Sequence, residues 1–113
     1  MPPKTNPLRL NMLQLKTLTL LQELARHPEA GAALEDGSFE ISRLPKPHGD
    51  HFHIGQAAAR ASDATGLSNE MVWKALERKS LARSAYPQAI TLTPAGIAYD
   101  TGLRNKILHG TDH

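Results

Sequence analysis

Apolar residues first fall into a helical rhythm between positions 13 and 25, where Leu13, Leu15, Leu18, Leu20, Leu21, Leu24 and Ala25 recur at intervals of three and four. Lys16, Thr19, Glu23 and Arg26 gather on the opposite side. The pattern predicts a first helix with Asn11 as its N-cap and Pro28 closing it. The leucine arc covers close to half the helix circumference, so the helix is expected to touch more than one neighbour. Upstream, three prolines in the first seven residues exclude a helix and predict a loose arm over residues 1–9.

Residues 29–50 lose this rhythm. Ala30 to Leu34 suggests one helical turn, and Glu35-Asp36-Gly37 reads as a turn. Phe39 and Ile41 alternate with Glu40 and Ser42, which predicts a short strand. A loop through Pro45 and Pro47 leads to a second strand, His51 to Ile54, with Phe52 and Ile54 on one face and His51 and His53 on the other. The two strands could pair as a hairpin. Gln56 to Ser62 is alanine-rich and predicts a helix, with Gly66 as its stop. Ser68 is then the expected N-cap of a helix running to Lys79, with Met71, Val72, Ala75 and Leu76 inward and Glu70, Trp73, Lys74 and Glu77 outward. Beyond Leu81, residues 82–85 and 89–92 read as two strands around Tyr86-Pro87-Gln88. Thr93-Pro94 opens a last helix with Tyr99, Leu103 and Ile107 as its apolar stripe. Gly96 and Gly102 cost that helix about 1 kcal/mol each relative to alanine and imply a close approach or an early end.

These elements predict a mainly α fold with a small antiparallel β-sheet, an α+β domain over residues 10–109 with a tail over 110–113. Leu15, Leu18, Val72, Leu76, Ile90 and Leu92 are its expected core. The length of 113 residues suits one such unit, and 40% hydrophobic with 21% charged residues is ordinary globular composition. The absence of cysteine removes disulfides, thiol nucleophiles and thiolate metal sites, and fits a reducing cytoplasmic location. No signal core or membrane-length apolar run is present. Thirteen Lys and Arg against eleven Asp and Glu leave a net charge of +2, too small by itself to imply nucleic-acid binding. Phosphate-loop, nucleotide-fold and serine-elbow signatures are all missing, so an enzyme is not expected.

Three stretches carry a resemblance. Leu10 to Leu18 looks like the first core helix of a winged helix–turn–helix domain. Ala64-Thr65-Gly66-Leu67-Ser68, followed by Val72, Leu76 and Leu81, looks like its turn, recognition helix and exit into the wing. Ile90-Thr91-Leu92-Thr93-Pro94-Ala95-Gly96 resembles the returning wing strand and final helix cap. In this order the stretches resemble bacterial regulators of the MarR-like class. The segment 29–50 is longer than the usual link, and the wing is short with few basic residues.

The resemblance implies double-stranded DNA as partner, a homodimer, and a recognition helix in the major groove. It places Ser68, Asn69, Glu70, Trp73, Lys74, Arg78, Lys79 and Arg83 at the DNA. Lys74, Arg78, Lys79 and Arg83 would meet phosphates, and Asn69 could pair with adenine. Glu70 and Glu77 oppose phosphate contact unless one reads a cytosine amino group. The same face also reads as a solvated helix surface with Glu–Lys pairing, or as a protein-interaction surface with Trp73 as an anchor. Trp73 could equally tuck against the wing. The dimer expectation further rests on the wide leucine arc and on Leu103, Ile107 and Leu108. Finally, His48, His51 and His53 form an H-x-x-H-x-H run. His51 and His53 on one strand face could hold zinc or nickel, with or without His48, making a metal-responsive regulator. A further ligand would have to come from Asp50, His109 or His113. Solvated surface histidines are the plainer reading.

Overall fold

The structure is a computed structural model and describes residues 6–55 and 57–110, with Pro47, His48 and Gly110 by their backbone alone. Helix α1 spans Met12–Leu24, opened by Asn11. The Asn11 side chain accepts the Gln14 amide at 2.8 Å while Gln14 Oε1 accepts the Asn11 amide at 3.0 Å, so two donors that a helix start leaves unpaired are satisfied reciprocally. The helix ends before Pro28, which instead opens a short 3-10 turn, Pro28–Ala30. Ahead of α1, Asn6 bonds to both backbone groups of Leu10, and the Tyr99 hydroxyl donates to Asn6 and accepts from the Leu8 amide. Residues 6–9 are therefore tied to the C-terminal part of the chain rather than forming a loose arm.

Two antiparallel four-stranded sheets follow where one small sheet was expected. The first has the order β1 (Gly31–Ala33), β2 (Phe39–Ile41), β7 (Ala89–Leu92), β6 (Ala82–Ala85). The second has the order β3 (Pro47–His48), β4 (His51–Ile54), β5 (Ala57–Arg60), β8 (His109–Gly110). The strands at 39–41 and 51–54 are thus correct as strands, but they lie in different sheets and do not pair. The helical turn expected over Ala30 to Leu34 is mostly β1.

The expected helix at Gln56 to Ser62 is replaced by β5 and a 3-10 turn, Ala61–Asp63; Gln56 itself lies outside the described residues. Alanine favours a helix, yet a stretch this short cannot offset nucleation without tertiary support. Here β5 matches β4 at four consecutive positions, from Ile54↔Ala57 to His51↔Arg60, and this pairing seats Ala59 in the core. A second 3-10 turn, Thr65–Ser68, then leads to helix α2, Glu70–Arg78. Gly66 in that turn lies against α1, where a Cβ would come within 1.8 Å of Thr17 Oγ1.

The last helix breaks in two, α3 (Pro94–Ala98) and α4 (Arg104–Ile107). Gly96 sits on the Leu81 carbonyl, which a Cβ would approach to 2.0 Å, and Gly102 turns the chain at φ +72°. Both glycine expectations hold in this form.

The core gathers Leu18, Leu20 and Leu21 of α1 with Ile41, Ile54, Trp73, Leu76, Ile90 and Leu92. Leu15 is only partly covered. Thr19 and Glu23, expected on the polar side of α1, are buried, because strands, turns and the C-terminal segment enclose that side too. Thr17 and Thr19 make this possible by donating to the carbonyls of Leu13 and Leu15, both at 2.8 Å. Glu23, 4% exposed, takes bonds from Arg104 and His27 and lies 3.6 Å from Arg26. Burial pushes its carboxyl up, but the Arg104 and His27 bonds and the nearby arginine charges outweigh this and hold it below the ordinary 4.5.

Candidate nucleic-acid interface

Asn69, not Ser68, caps α2: its side-chain oxygen accepts the Met71 amide at 3.0 Å. The acceptor half of that amide is therefore committed to the helix start, which weakens the expectation of a bidentate adenine contact. Ser68 closes the preceding turn, and its carbonyl accepts from the Tyr86 hydroxyl at 2.8 Å.

Val72, Trp73, Ala75 and Leu76 form the buried side of α2. Two expectations are corrected here. Met71, expected inward, is 66% exposed, and Trp73, placed among the DNA contacts, is 0% exposed. The β6–β7 hairpin folds over the side of α2 that a simple wheel left open, and Tyr86 at its turn meets the indole edge to face, centroids 4.8 Å apart at 80°. Trp73 is thus core beneath the hairpin, in keeping with the reading that tucks it against residues 82–92, and cannot reach a duplex. Its Nε1 is buried and, among the described residues, has no hydrogen-bond partner, so the site is stabilised by apolar contact and the aromatic edge rather than by a polar bond.

The outward side of α2 presents Glu70, Met71, Lys74, Glu77 and Arg78, with Lys79 just beyond. Lys74 lies 3.6 Å from Glu70, one turn earlier, in an exposed pair of the kind the solvated reading predicted. Among the described residues no carboxylate is in ion-pair range of Arg78 or Lys79. Arg83 on β6 is half-exposed and reaches back to the β1–β2 turn, with Asp36 Oδ2 at 3.6 Å and Ser38 Oγ at 3.3 Å. The Ser38 amide and hydroxyl bonds, together with the Arg83 charge, hold the Asp36 carboxyl below its ordinary range. Arg83 would have to leave this partner to grip a phosphate.

The histidines of the H-x-x-H-x-H run lie on the second sheet. His51 Nδ1 is 3.3 Å from Asp50 Oδ1, and the His51 and His53 rings meet at 5.2 Å and 79°. Register places His109 opposite Ala58, and Ala58 opposite His53. The backbone of His48 pairs with His51, but its side chain, like the whole of His113, lies outside the described residues. Among the described residues, no group of three or more histidines and carboxylates is arranged to hold a metal ion. No described helix is long and apolar enough to cross a membrane.

Pattern reading missed Met71, Tyr86 and the Asp36–Ser38 anchor. Met71 carries no signal separating it from a core methionine, because an apolar residue at a helical interval reads as inward. Tyr86 was visible as a turn residue, but its reach to Ser68 depends on the hairpin folding back. No family model matches the chain, and neither does any curated protein or solved structure.

Proposed function

We propose that the chain is a cytoplasmic winged helix–turn–helix protein that binds double-stranded DNA, with α2 entering the major groove, and acts as a transcriptional regulator. The observation that carries this reading is the pairing of β2 with β7, the second strand of the hairpin that directly follows α2. The succession α1, β2, α2, β6, β7 with this pairing supports the reading, because it follows the order of first helix, strand, recognition helix and wing in such a domain. Between β2 and α2, the usual first helix of the helix–turn–helix is replaced by β3 to β5 and two 3-10 turns. This arrangement leaves one side of α2 uncovered, and that side offers Lys74, Arg78 and Lys79 against Glu70 and Glu77.

Each phosphate contact adds about 0.9 to the slope of log affinity against log salt. Binding of fluorescent random-sequence duplex should therefore weaken steeply as salt rises. Arg78→Ala and Lys79→Ala should each reduce the slope by about 1 while leaving sequence preference intact. Absence of duplex binding at low salt would overturn the reading.

A homodimer is part of the proposal, since paired recognition helices meet half-sites about 34 Å apart. Its basis in uncovered apolar residues falls away. Leu103 and Ile107 are buried in the chain's own core and Leu108 packs partly against it. Light scattering in the presence of a selected site tests this part separately.

The exposure of Met71 beside the Glu70–Lys74 pair favours a second reading, in which α2 docks a protein. Association through an apolar anchor would change little with salt.

A further inference from the structure

Between the two sheets lies a groove of about 380 Å³, within the range of small-molecule sites. One wall comes from the second sheet and its lead-in, with Pro45 and Phe52. The other comes from the β6–β7 turn, with Tyr86 and Pro87, and Ala64 and Leu67 lie between them as buried residues. The walls are therefore two aromatic rings and two proline rings, flat apolar surfaces suited to a flat apolar guest.

This groove is held open by bonds already described. The Tyr86 hydroxyl is tied to the Ser68 carbonyl and its ring is braced on the buried Trp73, so the hairpin wall is fixed before any ligand arrives. Such preorganisation removes part of the ordering cost of binding. Among the described residues that line it, Lys46 is the only one of fixed charge and none carries a carboxylate. Its exposed side chain stands beside an otherwise apolar slot, and Ser68 lies at the rim with its hydroxyl donating to the Thr65 carbonyl at 3.4 Å.

We propose that this groove binds a small planar aromatic molecule carrying a single negative charge, its ring between Phe52 and Tyr86 and its anionic group toward Lys46. Of the residues placed at the DNA only Ser68 lines it, and none of the outward residues of α2 does, so the site does not depend on α2 binding DNA.

The test uses two probes that differ by one charged group: 8-anilinonaphthalene-1-sulfonate and its neutral counterpart N-phenyl-1-naphthylamine. The single tryptophan, Trp73, packs against Tyr86 and serves as energy donor to a probe in the groove. Titration of the full chain should show one saturable sulfonate site with energy transfer from Trp73. The neutral probe should bind about threefold to fivefold more weakly, the size of one solvent-facing ion pair. Lys46→Gln should erase that difference. Ser68→Phe fills the groove from an exposed position without touching the Asn69 cap, and should weaken both probes roughly tenfold or more by occupying the volume. Thermal midpoints measured alongside verify that both variants fold. Equal affinity for the two probes in the parent chain, sulfonate binding unchanged in Ser68→Phe, or no saturable binding at all would each overturn the proposal.

Discussion

The two sheets of this molecule are built from different materials. In the first, β7 is buried at all four positions, and Ile41, Ile90 and Leu92 share one buried apolar cluster with residues of α1 and α2. In the second, Ile54 and Ala59 face the core while His51, His53 and Arg60 face outward, and β5 is three alanines and an arginine. Large apolar residues on its two central strands, β2 and β7, specify the first sheet through what they bury. Small residues leave the other to be specified by pairing, by the turn at Gly55, and by the Glu23 network whose His27 ring lies against that turn. The same backbone geometry is thus reached from strong and weak side-chain instruction.

The sharpest way to break this contrast is at Trp73, where α2 and the first sheet's hairpin meet. Trp73→Ala should destabilise by about 3–5 kcal/mol in chemical denaturation, because it empties a fully enclosed site. A loss under about 0.5 kcal/mol would return the indole to the surface and undo the assignment of the α2 faces. Leu76→Ala, on the same buried side, should cost about 2–5 kcal/mol by the same mechanism.

The Glu23 network is the polar counterpart on the other side. Glu23→Ala should cost about 1–3 kcal/mol by leaving the largely buried His27 ring without this acceptor and removing the Arg104 bond. The folded-state pKa of Glu23 is lower than its unfolded value near 4.5. Its contribution is therefore complete above pH 4.5 and disappears as pH falls through the folded-state value. Stability of the parent should fall in that acid window, and Glu23→Gln should show a shallower fall there. Parallel pH profiles would remove Glu23 from the account.

Smaller effects sharpen the assignment of β5. Ala58→Val should leave stability unchanged or raise it by up to about 1 kcal/mol if the segment is a strand, and lower it by roughly 0.5 kcal/mol if the segment is helical. The smallest effect is expected at the exposed Glu70–Lys74 pair, whose double-mutant coupling should be about 0.3–0.5 kcal/mol and should shrink with salt.

These contrasts explain what could be read in advance. The start of α1 at Asn11, the strands at 39–41, 51–54 and around the Tyr86 turn, the Thr93-Pro94 helix start and most of the core were legible, because each rests on residues whose cap chemistry or period acts locally. Arg78 and Lys79 were legible as exposed cations for the same reason. Ser68 lost its capping role to its neighbour, a one-residue shift within the ordinary ambiguity of helix ends.

What the sequence by itself determined, then, was an α+β chain with its apolar stripes, its turns, and a basic end to α2. Tertiary structure alone decided that an alanine run is a strand and that Glu23 and Thr19 are inside. It also decided that Trp73 belongs beneath the hairpin while Met71 faces out, and that the strand of Phe39 and Ile41 lies in a different sheet from the strand of His51 and His53. The physical reason is the same in each case. Periodicity records how many sides of an element are apolar, whereas burial depends on which neighbours arrive and where: α1 is covered on more sides than its pattern specifies, and the covered side of α2 is turned from Met71 toward Trp73.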